Sequence, residues 1–133
     1  MSRENVELVN RAFEAFERSD FDAILRMCDE GIVIRQPPEI PGAPETQHGH
    51  TGVLEAFEFW PQQWDNYGVE ILYLRDVGDH VVAHTRQWGV GKGSGIKLEM
   101  PFTNVFTIGR GKIVEWQLFV REEEALEAVG LRE

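Results

Sequence analysis

The hydrophobic period of this chain changes along its length. Up to Trp64 most apolar residues recur every three or four positions; from Val69 onward they tend to alternate with polar ones. A period of 3.6 belongs to helices and a period of 2 to strands, so helices precede a sheet. Val6, Val9, Phe13 and Phe16 form one helical stripe behind Ser2, which can cap it. Asp20 can cap a short second helix with Phe21, Ile24, Leu25 and Cys28 on its apolar side and Gly31 at its end. Val53, Phe57, Trp60 and Trp64 mark a third, in which Pro61 predicts a kink or short break. Between the second and third helices, Ile32 to Gln36 is a short strand. "PPEIPGAPETQHG" then holds four of the six prolines and is a surface loop.

The strand half reads as "VEILYLRD", "HVVAHTRQWGV", "IKLEMPFTNVFTI" and "KIVEWQLFV", punctuated by glycines. A last helix takes "EEEALEAVGL", with its acids where the helix dipole favours them. The predicted architecture is α+β: one strongly curved, mainly antiparallel sheet wrapped around three helices of the N-terminal half, with a short C-terminal helix. Residues 1–133 are read as a single domain.

A net charge of −10 repels phosphate backbones and anionic headgroups, so neither nucleic acid nor membrane is expected as a partner. The single cysteine excludes an intrachain disulfide, and Cys28 reads as a buried thiol. No apolar run approaches the roughly 18 residues of a membrane span, and the charged start has no signal-peptide core. A cytoplasmic location is expected.

Alternation along strands selects the inward residues. In the third strand of that half the even set, Ile96 to Ile108, is apolar apart from Asn104. A buried amide needs partners, so Asn104 belongs to a structural network or to a ligand site. In the fourth, Val114, Trp116, Leu118 and Val120 face inward, which leaves Phe119 outward. The "HVVAHTRQW" strand is mixed on both faces. If its even face points in, His84 and Arg86 line the same space as Asn104. That would make His84 an acid/base and Arg86 a clamp for a carboxylate or enolate. If its odd face points in, the pair is solvated or lies at a dimer contact. Trp60, Trp64, Trp88 and Trp116, with Tyr73 and Phe106, are either core or an aromatic pocket for a flat ligand. His48 and His50 are a weak metal pair without a third ligand at a recognisable spacing, so no metal is expected. No Ser–His–Asp, Cys–His or phosphate-loop motif is present, and no cofactor is implied.

The order of "VNRAFEAFERSDFDAILRM", "GHTGVLEAF", "GKGSGIKLEMPFTNVFTI", "GRGKIVEW" and "EEEALEAVGL" resembles the SnoaL-like group of the nuclear transport factor 2-like superfamily over almost the whole chain. The resemblance implies a cone-shaped fold with a small-molecule pocket at its open end, and often a homodimer paired across sheet faces. It also implies catalytic positions. The general base of the ketosteroid isomerases falls on Gln36, and their oxyanion donors on Asn104 and about Ala12. The acid of the cyclases and epoxide hydrolases falls on Leu118, and a further aspartate of SnoaL-like relatives on Arg121. Most of the family's acid–base groups are therefore replaced. The expected function is binding of a small apolar or polycyclic, ketone-like molecule by Gln36, Trp60, Trp64, Arg86, Trp88, Phe106, Trp116 and Leu118. Proton-transfer chemistry, if any, falls to His84 and Asn104. The alternative is a non-catalytic dimeric scaffold whose cone is filled by tryptophans.

Overall fold

The structure, a computed structural model, describes residues 2–40 and 46–131, apart from the side chains of Ser2 and of residues 59–63. The elements in order are α1 (Ser2–Glu17), α2 (Phe21–Met27), β1 (Cys28–Arg35), β2 (Thr46–His48), α3 (Gly49–Gln63), β3 (Trp64–Val77), β4 (His80–Gly91), β5 (Lys97–Gly109), β6 (Lys112–Phe119) and α4 (Glu122–Ala128). The six strands form one sheet in the order β2-β1-β6-β5-β4-β3. All neighbouring pairs are antiparallel except β1 with β6. The sheet is strongly curved and does not close.

The sheet is packed on both sides. Helices α1 to α3 cover the inner face, where Val9, Ile24, Ile34, Val53, Ala83 and Phe106 belong to one core. Helix α4 covers part of the outer face, where Ala125 and Leu126 pack with Val82 and Val105, and Phe119 joins them. Val105 is therefore buried under α4, and Phe119 is not the free outward residue that alternation implies. Apolar side chains on both faces of β5 around residue 104 have this cause.

Several boundaries differ from the sequence reading. Helix α2 stops at Met27, and Cys28 to Gly31 already belong to β1, so Gly31 lies inside a strand rather than at a helix end. Helix α3 continues through Pro61 to Gln63, so Pro61 falls in its last turn. Trp64 belongs to β3, not to the helix. It pairs with Gly91 and lies over Gly89, while Trp88 lies over Gly68. Glycines at these positions leave flat ground for two indoles, and this extends the hairpin beyond Val69.

The start of β5 also departs from alternation. Ile96, which falls just before the strand, and Leu98 are 59% and 43% exposed, whereas Phe102, Asn104, Phe106 and Ile108 of the same even set are buried. In β6 the pairings Thr107 with Glu115 and Ile108 with Ile113 leave Val114 as an extra residue. This bulge shifts the parity, so Ile113 joins Trp116 and Leu118 inside while Val114 is only half-buried.

Candidate functional site

Between the inner face of the sheet and α1 to α3 lies a cavity of ≈ 50 Å³. Ala12, Phe13 and Phe16 reach it from α1, Phe57 from α3, and Phe106, Trp116 and Leu118 from β5 and β6. The aromatic rings pack closely. Trp116 lies 5.3 Å from Phe57 and 5.2 Å from Phe106, centroid to centroid, and Phe13 meets Phe106 edge-on at 5.8 Å. Such rings form an apolar wall; the space between them is smaller than the roughly 300 Å³ usual for a ligand pocket, so a flat ligand must part them to enter.

The polar groups of the wall are Gln36, Gln87, Asn104, Tyr67 and Cys28; no Asp, Glu, His, Lys or Arg is among the described residues lining it. Asn104 on β5 is 1% exposed. Its Oδ1 accepts from Trp116 Nε1 at 2.9 Å, and its Nδ2 donates to the Ala83 carbonyl at 3.3 Å. One N–H of that amide remains, since an amide nitrogen carries two donors. Tyr67 donates its hydroxyl to Gln87 Oε1. Gln87 Nε2 donates to Thr85 Oγ1 at 3.4 Å, and Thr85 donates onward to the Phe102 carbonyl at 2.9 Å. Gln36, just past β1, donates from Nε2 to Gln47 Oε1 at 3.2 Å. Gln36 Oε1 has no partner among the described residues.

A bulge in β3 between Asp65 and Gly68, where Asn66 takes φ +51°, includes Tyr67, whose side chain lines the interior. Burial raises the Tyr67 hydroxyl above its ordinary pKa. Burial also pushes the Cys28 thiol up to about 12, opposed only by the positive charge of Lys112. Both groups therefore carry their protons at neutral pH. Phe16, Tyr67 and Val69 also line an outer cleft of ≈ 810 Å³ rimmed by Glu17, Glu70, Arg86 and Trp88. Phe16 and Tyr67 stand between the two spaces, edge to face at 6.2 Å.

Of the residues singled out in the sequence, Gln36, Asn104, Phe106, Trp116 and Leu118 line the inner cavity. Ala12, matched to an oxyanion donor, is there too but offers only a methyl group. His84 and Arg86 are on the other side of the sheet. Ala83 pairs with Asn104 across β4 and β5, and Val81, Ala83, Thr85 and Gln87 are the buried face of β4. His84 instead hydrogen-bonds Thr103 at 2.8 Å and stacks near Tyr73, whose hydroxyl donates to Glu122 on α4 at 2.5 Å. Arg86 bridges Glu70 at 2.7 Å and Glu99 at 3.0 Å. Its hydrogen bonds to Glu99 and Glu70 raise its pKa further. The inward placement of this pair is thus corrected. Trp88 lines the outer cleft, and Trp64 packs beside it over Gly89; neither reaches the inner cavity. The Trp60 side chain lies outside the described residues.

Tyr67 and Gln87 were missed. Their signal was the polar odd face of β4, where Thr85 and Gln87 look solvated until Tyr67 is brought across from β3. His50 places Nε2 3.0 Å from the Cys28 carbonyl, and no group of three or more potential metal ligands occurs among the described residues.

The family model of the SnoaL-like domain matches residues 9–116. No curated protein matches the sequence. Among solved structures, a nuclear transport factor 2-like protein of unknown function from Burkholderia pseudomallei K96243 is 20% identical with a TM-score of 0.81, covering 98% of this chain and 99% of the other. A putative SnoaL-like polyketide cyclase from Jannaschia sp. CCS1 is 19% identical with a TM-score of 0.80, over 97% and 92%. TerC, co-crystallised with polyporic acid, is 19% identical with a TM-score of 0.79, over 95% and 98%. Likeness at this identity shows a shared fold.

Proposed function

This chain belongs to the SnoaL-like domain family, and we propose that it uses the cavity inside the cone to bind a small, neutral, largely aromatic molecule. The observation that carries the reading is the cavity wall: aromatic and aliphatic side chains, amides and a phenol, with no charged residue among those described. A charged ligand entering it would lose its hydration without gaining a counter-charge. A neutral ligand gains ring contacts and can hydrogen-bond the remaining Asn104 N–H or Gln36. The small ligand co-crystallised with TerC supports the same use of the fold.

Binding is favoured over acid–base catalysis. His84 and Arg86 face away from the cavity, and Tyr67 and Cys28 are held protonated by burial. Asn104 can polarise a ligand carbonyl, yet no described side chain in the wall is set to accept a proton near pH 7. The test is fluorescence of Trp116 titrated with 1-tetralone, a neutral bicyclic ketone. Saturable quenching that is lost in Leu118→Trp, which fills the wall, supports the reading. An unsaturable response in the native protein overturns it.

Pairing of two copies is a second element of the reading. It is favoured by Ile96, just before β5, and Leu98, near its start, which stand exposed. Sedimentation should show a dimer that Leu98→Glu dissociates, and a monomeric native chain removes this element.

A further inference from the structure

Resting on the binding reading above, we propose that the ligand is a phenol, and that it takes the place of the Tyr67 side chain on Gln87 while Tyr67 turns out into the outer cleft. The inner cavity holds ≈ 50 Å³, too little for a ring system, so part of its wall must move. Among the described residues Phe16, Tyr67 and Val69 line both this cavity and the outer cleft of ≈ 810 Å³. A side chain in this partition has open space to turn into. Two of the three are tied down. Val69 pairs with Gln87 in the ladder of β3 and β4, and Phe16 packs against Phe57 at 5.1 Å beside the main core. Tyr67 is held less. Strand β3 ends the sheet, and the bulge leaves Asn66 and Tyr67 without Cα partners on β4. The Tyr67 side chain has one hydrogen bond, to Gln87, and one ring contact, the edge-on approach to Phe16, among the described residues.

What Tyr67 leaves behind is selective. Thr85 has its proton directed at the Phe102 carbonyl, so it can only accept from Gln87 Nε2. This fixes the Gln87 amide and keeps its Oε1, an acceptor, aimed at the position of the Tyr67 hydroxyl. When Tyr67 turns out, its own hydroxyl meets water in the cleft. The Gln87 oxygen stays behind on a side chain that is 6% exposed, and is unpaired unless the ligand donates to it. A hydroxyl on an aromatic ring restores both interactions of Tyr67, the bond to Gln87 and the contact with Phe16. A hydrocarbon, an ether or a ketone of the same shape restores only the contact. The remaining N–H of Asn104 does not relieve this demand, because it is a donor and serves a ligand acceptor.

The experiment is calorimetric titration of the full chain, near neutral pH where a phenol is uncharged, with naphthalene, 2-naphthol and 2-methoxynaphthalene. These share a flat skeleton, and only the naphthol can donate. In the native protein 2-naphthol should bind about tenfold more tightly than naphthalene, the worth of one hydrogen bond, and 2-methoxynaphthalene should match naphthalene within about threefold. In Gln87→Met the naphthol should lose its advantage. In Tyr67→Phe all three probes should bind about tenfold more tightly, because Gln87 is already unpaired in the free protein and turning the ring out breaks no hydrogen bond. A tyrosine that touched the ligand from a fixed place would give the opposite sign. Tyr67→Phe that weakens the probes or leaves their affinities unchanged overturns the inference. So does a naphthol that binds no more tightly than naphthalene or the ether, or one that keeps its advantage in Gln87→Met. In each of these cases naphthalene still binds and the binding reading stands. If none of the three binds the native protein, the binding reading itself fails and this inference falls with it.

Discussion

The two faces of β4 carry similar numbers of polar side chains and use them in opposite ways. On the inner face Thr85 and Gln87 are neutral, buried and strung into a chain from Tyr67 to the Phe102 carbonyl. On the outer face His84 and Arg86 are titratable or charged, half-buried, and paired with Thr103, Glu70 and Glu99 at the edge of solvent. Desolvating an isolated charge costs far more than desolvating an amide or a hydroxyl that keeps its hydrogen bonds. A face that must line a dry cavity can therefore be polar only if it is neutral and internally paired. The comparison teaches that the cavity is chemically quiet: among the described residues its wall holds no charged group and no imidazole, while His84 and Arg86 stand on the outer face.

The comparison can be broken from the inner side first. Phe106→Ala removes a buried ring that touches Phe13 and Trp116 and should cost about 3–5 kcal/mol in urea unfolding. Asn104→Leu takes away the partner of the Trp116 N–H and one donor to the Ala83 carbonyl, and should cost about 1–3 kcal/mol. Tyr67→Phe strands the Gln87 oxygen and should cost about 1–2 kcal/mol. A loss below about 0.5 kcal/mol for Tyr67→Phe would mean that the inner chain is not needed to satisfy Gln87.

A pH series adds a sign to this. Cys28 is raised in the folded state from 9.0 to about 12, so the native thiol keeps a proton that the unfolded thiol releases. Its stabilising contribution is complete below the unfolded value and declines as pH rises from about 9 toward 12. Urea midpoints should be level through neutrality and fall above pH 9, and Cys28→Ser should fall less. The smallest effect belongs to the outer face. Arg86→Met should leave the unfolding midpoint and probe affinity within error, because exposed ion pairs contribute little. A loss as large as that of Tyr67→Phe would erase the distinction between the faces.

These contrasts also explain what the sequence could reveal. The helical stripe of α1, the short α2 after Asp20 and the even set from Phe102 to Ile108 follow from periodicity, because one face of each is apolar and packed. Asn104 was legible as a lone polar residue in an apolar set. The β4 faces were not, because Thr85 and Gln87 owe their burial to partners on β3 and β5 that no local pattern reports. Bulges hid more: Val114 reverses the parity at the start of β6, and the one between Asp65 and Gly68 contains Tyr67. The place of Val105 and Phe119 depends on α4 folding back across the sheet.

The central claim is that the cavity recognises its ligand through neutral groups alone. It is tested most directly by the affinity for 1-tetralone measured from about pH 5.5 to about pH 8.5, the range in which histidines and raised carboxylates titrate. The account predicts a level profile, unchanged in His84→Ala. An inflection in that range, abolished by His84→Ala, would contradict it.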